Sequence, residues 1–453
     1  MSENNSAVKA TKTIHDMTTG SPAKLIVQFM IPMFLGNIFQ QFYNVADSII
    51  AGQFLGVRAL AAIGSTGSLM FFVTGWLNGL SSGFAILVSQ WFGAKQYDRM
   101  RHYVAMSVYL ALGFALLMTI GFGFANEPIL KLMNYSDQIM PDVKAYMGII
   151  YAGLIITAAY NSLAAFLRAL GDSKSPLYFL IISAVINVAL DVAFIIFGGM
   201  GVEGCAYATV IAQGISAVLC LIYIILHLKK EDFKISLSAW GRLLALGIPM
   251  ALQFSITAIG TIIVQGAINV YGENAMAGFS AASKLQNIIM TVFVAFGATI
   301  ATYVGQNRGA GKMDRVRQGV RCTQFMIWGY SIFAMVLVFF FGRYLTWLFI
   351  SPSETAVVSA AVTYFRMVFW CYPFLGSIFL YRNTLQGLGY GLVPMLGGVF
   401  ELIARAAIVY IVSGRASFAG VCLADPAAWI SALIPLVPVY IMRMKKITKT
   451  YSA

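Results

Sequence analysis

Apolar runs long enough to cross a bilayer recur about every 35 residues along this 453-residue chain. A helix needs about 20 such residues to span the hydrocarbon core. The short alternating segments that mark barrel strands are absent. With 59% hydrophobic and 10% charged side chains, the composition excludes a soluble domain and requires lipid as the solvent. We read twelve spans, at 25–50, 60–92, 102–125, 142–170, 174–197, 201–228, 242–268, 276–308, 319–341, 356–387, 390–413 and 420–443. The first 20 residues are polar, with no apolar core or cleavage site. That predicts no signal peptide and an N-terminus that stays inside.

The net charge of +13 would suit a nucleic-acid partner, but its distribution argues for topology instead. With the N-terminus inside, the inside segments hold 21 of the 30 Lys and Arg residues, from Lys9, Lys12 and Lys24 through the Lys229–Arg242 stretch to Lys449. Outside segments hold only Arg58, Lys131, Lys144, Arg343 and Arg415, and Lys284, Arg366, Arg382 and Arg405 fall within spans. This bias predicts cytoplasmic termini, and no basic-aromatic patch argues for nucleic acid. Cys205, Cys220, Cys322, Cys371 and Cys422 show no CxxC spacing and are expected to pack. His15, His102 and His227 lie in the tail or near span ends, so no histidine metal site or catalytic dyad is expected at membrane depth.

Polar residues inside spans carry the functional signal. In the run from about Leu177 to Phe197, Asn187 and Asp191 are four apart, so a helix presents both on one face. An ionisable group at the bilayer centre costs at least about 2.5–3.5 kcal/mol, so Asp191 is expected to face the protein interior. Glu401 and Arg405, also four apart, neutralise each other and are expected as a structural ion pair. Lys284 sits at mid-span, where it either reaches Glu401 or lines a cavity. The run Gly387-Leu388-Gly389-Tyr390-Gly391 follows no strand, so it is expected as a turn between spans 10 and 11 and not as a phosphate loop.

The chain repeats itself. Ala59-Leu60-Ala61-Ala62, Gln90, Gly93-Ala94, Asp98-Arg99 and Arg101 recur as Ala275-Met276-Ala277-Gly278, Gln306, Gly309-Ala310, Asp314-Arg315 and Arg317 at an offset of 216 residues. Gly171 and Pro176 match Gly389 and Pro394, and Ile31-Pro32 matches Ile248-Pro249. Two lobes of six spans are implied, entering the membrane in the same direction and related by an axis along its normal. The expected layout is a tail at 1–21, a first lobe at 22–228, a linker at 229–241, a second lobe at 242–445 and a tail at 446–453. Two such repeats flanking a central cavity, with polar groups at mid-depth, form the layout of an alternating-access transporter.

Ile31-Pro32, Gln41-x-Tyr43-Asn44-x-x-Asp47, Gln90-x-x-Gly93-Ala94, Leu167-Arg168-Ala169-Leu170-Gly171-Asp172 and Glu401-x-x-x-Arg405 together resemble the multidrug and toxic compound extrusion (MATE) family. The resemblance covers roughly residues 22–445 and is similar in its first lobe to the bacterial DinF-like branch. It implies a twelve-helix membrane antiporter that exports organic, often cationic, compounds against inward flow of protons or sodium ions. It further implies a cation site at Asp47, Asn187, Asp191 and Thr209, which is also where a sodium ion would bind. Tyr43, Asn161, Tyr146, Gln265 and Lys284 are the expected supporting residues of the cavity. The NorM-like branch carries an acidic residue in span 7, where this chain has Gln253 and Gln265.

Two other function classes compete. A flippase for lipid-linked precursors would share the architecture but needs a strongly basic cavity for pyrophosphate, where this sequence offers Asp47 and Asp191. An intramembrane aspartyl protease needs GxGD, and the nearest run is Ala169-Leu170-Gly171-Asp172; no HExxH or Ser/His pair appears either. The expectation is therefore a non-enzymatic carrier with a small organic substrate, the bilayer as partner, no nucleic acid and no cofactor beyond its coupling ion. It is expected to act as a monomer in the bacterial inner membrane.

Overall fold

The computed structural model describes residues 15–133, 135, 137–225, 228–413 and 417–451, and every regular element among them is helical. Lys9, Lys12, His227 and Arg415 lie outside the described residues. Eleven helices are long and apolar enough to cross a membrane, and a pair bent by 50° at Gly153 completes a set of twelve. In order they are α1 (Pro22–Leu55), α2 (Arg58–Gly93), α3 (Tyr97–Leu132), α4 (Met140–Ala152 with Leu154–Ala169), α5 (Lys174–Phe197), α6 (Val202–Ile224), α7 (Leu237–Asn269), α8 (Glu273–Gly309), α9 (Met313–Thr346), α10 (Thr355–Gly387), α11 (Leu392–Val412) and α12 (Phe418–Lys446). Each expected span falls on one of these. The helices overrun the apolar runs at several ends, because backbone hydrogen bonding continues where side chains become polar.

By packing, the chain forms two compact units, one holding residues up to Asp16 and Ile31–Ala251, the other Met17–Met30 and Leu252–Ala453. The changeovers fall inside α1 and α7, beside the in-helix prolines Pro32 and Pro249, where each ring removes one backbone hydrogen bond. The stretch 229–241, a linker by composition, thus packs within the first unit.

In the first unit, two apolar clusters line up along α2. Leu80, Phe84 and Val88 meet Val104, Leu163 and Phe166 in one; Leu69, Val73 and Leu77 meet Met147, Ile150 and Tyr151 in the other. The first half of α7 joins this unit by close backbone approach. A methyl group on Gly79 would sit 2.5 Å from Ala251 Cα, and one on Gly83 2.6 Å from Gly247 Cα. Two pairs of small residues four apart thus face each other, as membrane helices need where no hydrophobic drive separates helix from lipid.

The repeated polar motif at the α2–α3 and α8–α9 turns has a structural task. In the first unit Arg101 Nε donates to Asp232 Oδ2 at 3.1 Å, and the same oxygen accepts from Lys229 N at 2.8 Å. This holds the Lys230–Phe233 turn against α3. In the second unit Met17 N donates to Gln306 Oε1 at 2.9 Å, Asn307 Nδ2 to Met17 O at 3.1 Å, and Arg315 Nη1 to Gly20 O at 2.9 Å. Each motif seats the segment that leads into a proline-bearing helix. The matched Gly171 and Gly389 both take positive φ, 87° and 77°, a conformation only glycine adopts without strain. After Gly171, buried Asp172 caps α5 by accepting from Lys174 N at 3.1 Å and Ser175 N at 3.0 Å.

The second unit encloses a chain of buried charges. Glu401 pairs most closely with Arg382 of α10, and its contact with Arg405 is a looser 3.6 Å. Arg405 Nε instead donates to Asp425 Oδ1 of α12 at 3.1 Å. Tyr364 Oη lies 2.9 Å from Asp425 Oδ2 and 2.8 Å from Gln286 Oε1. The expected pair is therefore the middle of a four-charge chain, with two acids and two arginines in alternation. Lys284 takes no part in it; its ammonium lies 5.8 Å from the centre of the Phe349 ring.

Two expectations follow. Gly79→Leu should destabilise the protein by about 1–3 kcal/mol through overpacking against the α7 backbone, read as a lower melting temperature in detergent; an unchanged melting curve would remove the close-approach argument. Arg405→Ala should cost about 3–5 kcal/mol by leaving Asp425 without its base. Adding Asp425→Asn should recover more of that loss than adding Glu401→Gln, and the reverse order would contradict the distances.

Candidate functional site

The site is built inside the first unit from two helices that each carry a polar pair one turn apart. On α5, Asn187 and Asp191 are 1% and 0% exposed. On α1, Tyr43 and Asp47 occupy the corresponding spacing and are half-buried. In the amide orientation that satisfies both its faces, Asn187 donates to Asp47 Oδ1 at 2.7 Å and accepts from Thr209 N at 3.3 Å. Thr209, on α6, therefore meets Asn187 through its backbone N–H.

The Asp47 and Asp191 carboxyl groups lie within hydrogen-bonding reach of each other. Both Asp191 oxygens are buried, and no donor among the described residues serves them. No arginine, lysine or histidine takes part in these contacts. Two carboxyl groups meeting out of water need a proton or a cation between them, because a bare pair of like charges there is too costly.

Around this pair runs a polar rim. Thr157 Oγ1 of α4 donates to Gln213 Oε1 of α6 at 2.6 Å, and Gln213 is hydrogen-bonded in turn to the Tyr43 hydroxyl. With the Gln213 oxygen taken by Thr157, its Nε2 is the group left to face Tyr43. A cavity of about 20 Å³ opens beside them, lined by Tyr43, Tyr160, Ser183, Asn187, Thr209 and Gln213. That is the room one water molecule takes.

The structure brings Asp47, Asn187, Asp191, Thr209 and Tyr43 together, and buried Tyr146 joins them beside Tyr43, Asp47 and Asp191. Asn161 is half-buried on α4, and its neighbour Tyr160 is the cavity-lining residue. Gln265 bonds along its own helix, Nε2 to Asn269 Oδ1 at 2.9 Å. Gln253 is buried and accepts from Gln386 Nε2 at 3.1 Å. Among the described residues, no group of three or more His, Cys, Asp or Glu is placed to hold a metal ion. Sequence reasoning missed Gln213 and Thr157, whose signal was a glutamine and a threonine inside apolar runs.

The MatE family model matches this chain twice, over residues 32–193 and 248–411. Among curated relatives, "Probable multidrug resistance protein YpnP" of Bacillus subtilis is 32% identical over 383 residues, covering 83% of this chain and 84% of that protein. The "FAD transporter" of Shewanella oneidensis is 23% identical, covering 83% and 84%. Among solved structures, the outward-facing conformation of a multidrug resistance MATE family transporter of the MOP superfamily superposes with a TM-score of 0.90 at 20% identity, covering 96% of this chain and 99% of that one. With a double family match across most of its length and helices that follow the same fold, this chain belongs to the MatE family of membrane transporters.

Proposed function

We propose that this protein exports organic, often cationic, compounds by alternating access, driven by inward movement of protons through the Asp47–Asp191 pair. The observation that carries the reading is that pair itself: two carboxyl groups in reach of each other, one of them buried without a donor. A proton shared between them removes the like-charge repulsion, leaving one negative charge across the pair, and draws α1 to α5. Its loss leaves like charges in contact, which pushes the helices apart and favours a cationic cargo in their place. The Asn187 amide supports the proton reading: in the orientation that satisfies both its faces its nitrogen meets Asp47 and its oxygen meets Thr209 N, whereas a sodium shell would draw that oxygen towards the carboxylates.

The names of the relatives support organic cargo, since one is a probable multidrug resistance protein and another an FAD transporter. The acidic character of the site argues against a flippase for pyrophosphate-linked lipids. We place both termini and the 229–241 segment on the cytoplasmic face of a bacterial inner membrane, from the Lys and Arg asymmetry, and take the monomer as the working unit.

Asp191→Asn should fold normally and lose efflux driven by a pH gradient in proteoliposomes, because the amide keeps the shape but exchanges no proton. Asp47→Asn should behave alike, and Gln265→Ala should be milder. One proton exchanged for one monovalent cation moves no net charge, so the drive is about 1.36 kcal/mol per pH unit. Full efflux by Asp191→Asn under both pH and sodium gradients would return this residue to a structural role, and loss of sodium-driven efflux alone would make sodium the coupling ion.

Orientation has its own test. Cysteines introduced at Lys230 and Gly272 should react with an impermeant reagent from opposite sides of the membrane. Reaction of both from one side would contradict the proposed topology.

A further inference from the structure

Two helices change their winding just past the carboxyl pair. Ala51–Leu55 in α1 and Ala193–Phe197 in α5 form π-helical turns, the only two among the described residues. One begins four residues after Asp47 and the other two residues after Asp191. In α5 the wider winding shows in the bonds: Gly198 N donates to Ala193 O at 2.9 Å, five residues back, and Met200 N to Phe194 O at 3.0 Å, six back. The two turns touch each other, and both rest on α6. Ala51 and Ile195 are buried in one apolar cluster with Val202 and Ala206 of α6.

A π turn holds one residue more than an α turn needs, and such turns are among the few places where a helix bends sharply. The sequence gives α5 no other kink-forming residue past its first turn, because Leu177 to Phe197 contain neither proline nor glycine. The stretch that carries Asn187 and Asp191 is therefore stiff up to Ala193. In α1 the wide turn includes Gly52, and Gly56 closes it at a φ of 85°. Tyr43 on α1, Tyr146 on α4 and Cys205 on α6 are the titratable groups facing the pair, and none supplies a positive charge. Repulsion between the two carboxyl groups is thus relieved most readily just past them, where both backbones already leave the α pattern.

We propose that the paired wide turns are the hinge of the first unit: when Asp47 and Asp191 repel, the last turns of α1 and α5 swing apart at Ala51–Leu55 and Ala193–Phe197, while the stretches before them stay in place. The inference rests on the proton reading of the pair given above and adds to it the place where the backbone yields.

The test is double electron–electron resonance on the full-length protein in lipid nanodiscs, with Cys322→Ser removing the one native cysteine that is not buried. One spin label is attached at Leu132→Cys, in the last turn of α3. The second is attached at an exposed position before or within each wide turn, Phe42→Cys or Phe54→Cys on α1 and Val185→Cys or Phe197→Cys on α5. From acid to alkaline pH, the distances from Leu132 to Phe54 and to Phe197 should change by about 5 Å, the reach of a side chain from its helix axis. The distances to Phe42 and Val185 should hold. Both changes should vanish in protein carrying Asp47→Asn and Asp191→Asn together. Distances that never change would overturn the hinge, and so would a pH response that survives both amides. A label at Phe42 that moves together with the one at Phe54 would place the bend at Pro32 and overturn it equally. Efflux separates the hinge from the coupling it rests on: export by Asp191→Asn under a pH gradient removes the proton reading, whereas lost efflux with motionless labels removes the hinge alone.

Discussion

A charge inside a membrane protein must be answered locally, because lipid offers it neither water nor counter-ion. The two units answer in opposite ways. In the second, Arg382, Glu401, Arg405 and Asp425 alternate in sign across three helices, so each acid has a base and the group is neutral as a whole. In the first, Asp47 and Asp191 have each other and an amide, and no base among the described residues. The second arrangement is complete as it stands; the first is complete only with something added. That difference separates a buried charge cluster that braces helices from one suited to exchanging an ion, although both look alike when acidic residues in spans are merely counted.

The remainder of the architecture keeps that incomplete group in register. Asp47 arrives on α1 and Asp191 on α5, and the contact between them depends on where each helix is held. Asp172 caps the start of α5 through two backbone N–H groups, which sets the rotation of that helix and hence the face that Asn187 and Asp191 present. Gln213 and Thr157 do the same for Tyr43, one turn before Asp47. Such supporting bonds determine how precisely the carboxyl groups meet, and precision of about half an ångström is what function at such a site requires.

Much of this was legible in the sequence, for reasons that are physical. Long apolar runs have one solution in lipid, so the spans could be read. A carboxylate in mid-run has few innocent explanations, so Asp191 stood out, and spacing of four brought Asn187 with it. What escaped were partners distant in sequence. Nothing local to Glu401 says that Arg382 lies nearer to it than Arg405 does, or that Asp425, at the start of α12, completes Arg405. The Gly79–Gly83 and Gly247–Ala251 pairs were a readable signal for close packing that went unused, hidden among the many glycines of a membrane protein. Thr209 was expected in the cation site and meets Asn187 through its backbone N–H, a contact that side-chain identity cannot foretell.

The seating of the chain's opening segment bears on how the protein is made. Met17 and the first turns of α1, to Met30, pack with the second unit, and the bond from Met17 N to Gln306 spans 289 residues of sequence. The first unit finds all its later pieces soon after they leave the ribosome, since residues 229–251 directly follow α6. The second unit must recover a piece synthesised before α2 to α6. The start of α1 therefore enters the bilayer well before its final neighbours, and until α8 and α9 have been inserted it needs a temporary shelter, in lipid or against the insertion machinery, for the apolar face it will later bury.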